Sequence, residues 1–198
     1  MRKYLFPLLA SLAIAAGPAL AASIPASNKL AFDVIRKGKD IGDYVITFRE
    51  SGSNLTVRLD TNIKVKVPII GVSVYEFAQK SSEQWRSGKL AALSSTTNDN
   101  GEAHSISLGA SSLLPASLWN VDIVKARSVL NTIDGKKMRI SVRKVGNENV
   151  ATGHGKVAAS HYRISGDLAR DVWYATDGTL VRVSFAGDDG SKVDYRLR

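Results

Sequence analysis

At 198 residues, with 27 Lys and Arg against 18 Asp and Glu and no cysteine, the chain is long enough for one sizeable core but cannot staple it covalently. A formal charge of +9 favours anionic partners such as envelope lipids, polysaccharides or nucleic acid, yet the basic residues are scattered over polar strand faces and form no basic block. The same composition excludes a disulfide scaffold and, beyond the N-terminal segment, any helix apolar enough to cross a membrane.

The chain begins with Arg2 and Lys3, an apolar run from Tyr4 to Ala16, then Gly17-Pro18 and Ala19-Leu20-Ala21, the small-x-small pattern a signal peptidase accepts. Residues 1–21 are therefore expected to be an export peptide cleaved after Ala21. The apolar run falls short of the roughly 20 residues a span requires and contains Pro7. Cleavage would leave 25 basic residues against 18 acidic ones, a charge of +7, on a chain bound for the periplasm or the cell exterior. With no cysteine after the cleavage site, a lipid-modified N-terminus is excluded. Residues 22–29 read as a flexible lead-in, and 30–198 as a single antiparallel β domain.

Leu30, Phe32 and Val34 alternate with their neighbours as a first strand, ended by Lys37-Gly38-Lys39-Asp40; Tyr44, Ile46 and Phe48 are the dry side of a second. From Leu55 to Val67 every odd position except Thr61 is aliphatic and every even one is polar. At about 3.3 Å per residue such a strand runs roughly 43 Å, so it must bend with a curved sheet or break near Asp60. Pro68-Ile69-Ile70-Gly71 then turns the chain into a return arm, Val72 to Trp85, in which the large residues move to odd positions; a bulge near Tyr75 accounts for the change. Ser87-Gly88 and Asn98-Asp99-Asn100-Gly101 punctuate a fifth and a sixth strand. Pro115 to Asn120 reads as a helical turn, and Val121 to Asp134 has no clear period. Alternation resumes at Met138, Ile140 and Val142. It continues through Tyr162 and Ile164, Val172 and Tyr174 with Trp173 opposite, Val183 and Phe185, and Val193, Tyr195 and Leu197. The fold class is therefore all-β: a single curved antiparallel meander sheet, a half-barrel or open barrel, with at most one or two short helical turns.

Ile41-Gly42, Glu83-x-Trp85-x-x-Gly88-x-Leu90, Thr96 to Gly101, Tyr162-x-x-x-Gly166 and Asp171-Val172-Trp173-Tyr174-x-x-x-Gly178-x-Leu180 carry a resemblance. Over nearly all of the mature chain, the sequence resembles a family of exported bacterial β-proteins classed as a domain of unknown function. More distantly it is similar to the open, curved sheets of periplasmic lipoprotein carriers. The first resemblance implies the fold and no activity; the second is architectural.

Chemistry is weakly signalled. His104, His154 and His161 form no H-x-H or H-E-x-x-H pattern, and without cysteine no metal or cofactor is expected. A G-x-S-x-G nucleophile elbow is missing, which disfavours a hydrolase, although an enzyme with an unrecognised site stays open. Asn98 to Glu102 clusters oxygen ligands around a glycine but lacks the spacing of a calcium loop. The last residues, Tyr195 to Arg198, lack the terminal aromatic of an outer-membrane barrel.

A binding site is the leading expectation. Glu83 and Trp85 share a strand face, near Tyr75 and Phe77 in parity. With Val65, Val67, Ile69, Ile70 and Trp173 they form the candidate lining for a hydrophobic or lipid-like ligand. The alternative is an envelope protein whose basic faces contact anionic surface polymers; export makes nucleic acid a poor partner.

Overall fold

The computed structural model describes residues 24–66 and 73–198. The expected export peptide, and Val67, Ile69 and Ile70 with the hairpin tip around them, lie outside the described residues. Among the described residues no helix is long and apolar enough to cross a membrane. Residues 24–28 form a turn closed by Asn28 N donating to Pro25 O at 2.8 Å, with Ile24 packed against the core.

Six strands follow in a meander: β1 (Lys29–Arg36), β2 (Lys39–Ser51), β3 (Asn54–Lys66), β4 (Ser73–Arg86), β5 (Lys89–Asp99) and β6 (Glu102–Leu108). After an irregular stretch the chain adds β7 (Leu114–Pro115), a short 3-10 helix (Val121–Lys125), β8 (Ser128–Leu130) and β9 (Lys137–Thr152). It closes with β10 (Gly155–Gly166), β11 (Arg170–Ala175), β12 (Leu180–Ala186) and β13 (Lys192–Leu197). Hydrogen bonding joins them in the order β6-β5-β4-β3-β2-β1-β13-β12-β11-β10-β9-β8-β7, one open sheet that curls without closing. Every pairing is antiparallel except the short β7·β8 contact. The helical turn comes later than the sequence period implies. Asn120 is its cap, its Oδ1 accepting from Asp122 N at 2.9 Å, while Leu114–Pro115 are extended.

β3 is unbroken, so curvature absorbs its length. Its pairing with β4 slips between Val65 and Lys66, where Val74 is the extra residue on the β4 side, placing a bulge beside Tyr75. Odd positions of β3 and β4 therefore face inward together.

An open curled sheet has a concave face that must be covered, and here the segment between β6 and β8 covers it. Leu118, Trp119, Val121 and Ile123 from this strap are buried with Phe32, Val34, Ile46, Val57 and Leu93 of the strands. Trp119 stands edge-on to Phe48 at 5.4 Å and to Trp85 at 5.5 Å between ring centroids. Two tyrosine hydroxyls hold the strap's backbone: Tyr44 donates to Ser117 O and Tyr174 to Leu118 O, both at 2.6 Å. Between those anchored carbonyls Leu118 adopts φ 66°, a left-handed conformation that costs an ordinary residue about 1–2 kcal/mol.

The outer face also has a dry patch. Past the bulge at Val145, the distal halves of β9 and β10 fold across β11–β13, and Gly153 N donates to Leu197 O at 2.9 Å. Val150, Ala159, Trp173 and Val181 are buried there as a second, smaller cluster.

Two glycines of the family-like motifs have a steric reason. At Gly42, φ 150°, an added Cβ would sit 1.9 Å from Asn62 O; at Gly166, φ 102°, it would sit 2.5 Å from Arg139 O. Both are places where the neighbouring strand's backbone passes too close for any side chain. Gly42→Ala is expected to lower stability by about 2–4 kcal/mol in urea unfolding, through strain and forced displacement of β3. A Gly38→Ala control, in an open turn, should cost less.

Candidate binding cavity

The centre of the inner face is a buried carboxyl. Glu83, fully shielded from solvent, accepts at Oε2 from the indole N–H of Trp85 and of Trp119, each at 2.9 Å. Trp85 reaches it because residues two apart on a strand share a face; Trp119 arrives from the strap. Oε1 has no hydrogen-bond partner among the described residues. Burial pushes the carboxyl's pKa above its ordinary value, and its polar neighbours, Ser117, Trp119 and Trp85, offset only part of that. A neutral carboxyl leaves Oε1 less costly to bury than a carboxylate would.

Beside this clamp, between strap and sheet, lies a partly open cavity of about 300 Å³. Leu59 and Thr61 of β3 and Phe77, Gln79 and Ser81 of β4 form one wall; Ser117 and Leu118 of the strap border it. The opposite wall is Met138, Leu168, Val183, Phe185 and Tyr195. Gln79 is held by donating to Thr97 Oγ1 at 3.0 Å and Thr132 O at 3.2 Å. The Tyr195 ring packs against Tyr44 and Phe185, and burial pushes its phenol up to about 12, with Arg170 pulling the other way. The Arg170 guanidinium lies 3.8 Å over the Phe185 ring and donates to Ala169 O at 2.8 Å. Burial lowers its pKa from the ordinary value.

The residues singled out from the sequence separate into three places. Phe77 lines the cavity. Glu83 and Trp85 meet in the clamp beside it, and Trp85 also faces a shallow external hollow next to Gly88 and Leu90. Val65 and Tyr75 pair across β3 and β4 toward the end of the sheet, the Tyr75 hydroxyl donating to Asp99 Oδ1 at 3.0 Å. Trp173 is on the outer face, in contact with none of these. It stacks on His161 at 4.1 Å, donates to Glu148 Oε1 and carries the Arg182 guanidinium 4.7 Å above its ring. Arg170, Tyr195 and the strap residues escaped the sequence reading. Nothing in the pattern singles out Arg170, while Phe185 and Tyr195 register only as inward positions of their strands.

The three histidines are dispersed: His104 in β6, His154 in the β9–β10 turn, His161 in β10. His161 Nε2 lies 2.8 Å from Asp171 Oδ1 and Nδ1 3.3 Å from Glu148 Oε1, so both ring nitrogens face carboxylates and neither faces a serine. Among the described residues no group of three or more acidic, histidine or cysteine side chains could hold a metal ion. In the Asn98 to Glu102 turn, Asn98 Oδ1 accepts from Gly101 N at 2.8 Å, as hairpin turns do.

A family model described as a domain of unknown function (DUF6134) matches residues 32–198. The chain belongs to this family. No curated protein matches it. Among solved structures it is similar to a β-barrel-like protein of another domain of unknown function, DUF1849, from Brucella abortus. The identity is 8%, the TM-score 0.53, and the likeness covers 86% of this chain and 94% of that one. That similarity is one of fold: an all-β, barrel-like sheet.

The Glu83 clamp makes a signed pH prediction. Unfolded, this glutamate titrates near about 4.3; folded, it holds its proton to higher pH, so from that point upward the folded state retains a proton that the unfolded chain has lost. The clamp's contribution is therefore complete below the unfolded pKa and declines as pH rises toward the folded one. Glu83→Gln keeps an acceptor for both indoles and cannot ionise. In thermal melts it is expected to gain progressively on the wild type as pH rises above the unfolded glutamate's pKa of about 4.3. Glu83→Leu strands two indole N–H groups and should lose about 2–5 kcal/mol throughout. A wild-type to Glu83→Gln difference that stays flat as pH rises would show that the carboxyl titrates normally.

Proposed function

We propose that this protein is an exported, non-enzymatic binding or carrier protein for a hydrophobic, lipid-like ligand, and that the cavity between strap and sheet is its site. The observation that carries this reading is the cavity of about 300 Å³ on the dry inner face, open at one side and walled chiefly by aliphatic and aromatic side chains. Its volume is at the lower end of the range, roughly 300–1,000 Å³, that small-molecule sites occupy, and polar side chains such as Thr61, Gln79, Asn131 and Thr132 share its walls with the apolar ones. The N-terminal export pattern, read from sequence, supports an extracytoplasmic role, where apolar molecules need a carrier through water.

A second reading draws on the outer face. A shallow groove of about 650 Å³ runs over β2–β6, where Arg58 and Lys80 stand among Thr47, Ser82, Ser94 and Thr96. Cationic side chains beside a row of hydroxyls suit contact with an anionic envelope polymer, although Asp60 shares the groove.

Native mass spectrometry of protein purified from its own compartment, with solvent extraction, tests the first reading. A co-purifying apolar molecule, or uptake of a fluorescent fatty acid, is expected. Met138→Trp, which fills the cavity from its β9 wall, should weaken uptake about tenfold or more while leaving the melting temperature within a few degrees. Recovery of empty protein that takes up no lipid probe would overturn it. Salt-sensitive co-sedimentation with envelopes in that case would favour the outer groove.

A further inference from the structure

The cavity's apolar walls account for affinity but not for orientation. Among the described lining residues one side chain is cationic, Arg170, and one is anionic, Asp167. Asp167 is occupied elsewhere: its Oδ2 accepts from Arg139 N at 2.8 Å, and its own N donates to Arg139 O. Arg170 has no such partner. It enters none of the ion pairs of the described residues, and its contacts are one backbone carbonyl and the face of Phe185. Other arginines, Arg58 and Arg139 among them, also make no ion pair among the described residues; what distinguishes Arg170 is that it lines the cavity. Arg182, Arg196, Arg163 and Arg36 all pair with aspartates at 2.6–2.9 Å. Next to Arg170, the Tyr195 hydroxyl also has no hydrogen-bond partner among the described residues, and the electrostatic influence of Arg170 reaches it. A half-buried guanidinium with most of its donors unused, beside an unused phenol and at the rim of an apolar cavity, is a ready receptor for one carboxylate.

Resting on the binding reading above, we infer that Arg170 and Tyr195 anchor the head group of the ligand, which is an amphipathic monocarboxylate. A single cation suits a single negative charge. A phosphate dianion would bring a second charge for which the cavity lining holds no second cation. A cavity of about 300 Å³, at the small end of the range of small-molecule sites, suits a medium-chain acid better than a long-chain one.

The test titrates the full mature chain at neutral pH with decanoate and with decanol, which share a tail and differ in the head group. Calorimetry is expected to show decanoate bound about tenfold or more tighter than decanol. In Arg170→Gln the decanoate affinity should fall about 10- to 100-fold, bringing the ratio of the two probes toward unity. Tyr195→Phe keeps the ring's packing on Tyr44 and Phe185 and should cost decanoate a smaller factor, about 2- to 10-fold. It keeps the question answerable should Arg170→Gln fold poorly. Equal binding of both probes, unmoved by either substitution, overturns the anchor while leaving the cavity as a site for apolar ligands. Binding of neither probe overturns the anchor and the binding reading together.

Discussion

Everything on the inner face depends on one carboxyl receiving two indole N–H bonds. An open curled sheet has apolar side chains on its concave side and nothing to pair with them, so some other part of the chain must cross the opening. That crossing carries backbone polar groups into a dry space, where each must find a partner. Glu83 supplies an acceptor for Trp85 and Trp119, and Tyr44 and Tyr174 supply donors for the strap's carbonyls. Burying an acid is costly, and burial accordingly raises the Glu83 pKa above its ordinary value. The strained φ of Leu118 fits the same logic: its carbonyl and the one before it are both gripped, so the residue bends to suit them.

The clamp also decides where a cavity can exist. With Trp119 wedged between Phe48 and Trp85, the end of the half-barrel near Glu83 is filled. Toward Ser81, Gln79 and Phe77 the inward side chains of β4 are no longer matched by large strap residues, and space opens against Met138, Phe185 and Tyr195. A filled end and a vacant end thus arise from one strap that is bulky at Trp119 and small at Ala116 and Ser117. That Arg170 points to the vacant end, over Phe185, makes the opening chemically asymmetric.

The outer face repeats the problem of dry surface on a smaller scale and solves it differently. The long β9–β10 hairpin folds over β11–β13 and buries Trp173 under charged side chains that are themselves paired. Asp194 receives Arg182 through two bonds and Arg196 through another; burial raises its pKa, but these arginines more than offset that and hold it below the ordinary carboxylate value. Such pairs tie β12 to β13 beneath the hairpin and add little net stability, since desolvation offsets much of a partly buried ion pair's attraction. Family membership and the likeness to a β-barrel-like protein agree with this architecture, and neither carries a function. The function proposed above rests on the cavity.

Periodicity by itself determined the strands, their turns and which side of each is dry, because a strand's side chains alternate whatever else the protein does. The bulge beside Tyr75 was legible as a change of parity, and Trp173 stood opposite Val172 and Tyr174 in the sequence as it does in the fold. Alternation, however, reports that a face is dry and not what dries it. The strap has no period to read, and its bonds to Glu83, Tyr44 and Tyr174 span 36, 73 and 56 residues. For the same reason nothing in the sequence singled out Arg170, and Glu83 with Trp85 looked like a candidate lining. Only the tertiary structure showed that Glu83 is taken by two indoles and that Arg170 is left without a carboxylate at the rim of the cavity, since both facts depend on segments that meet only when the sheet curls.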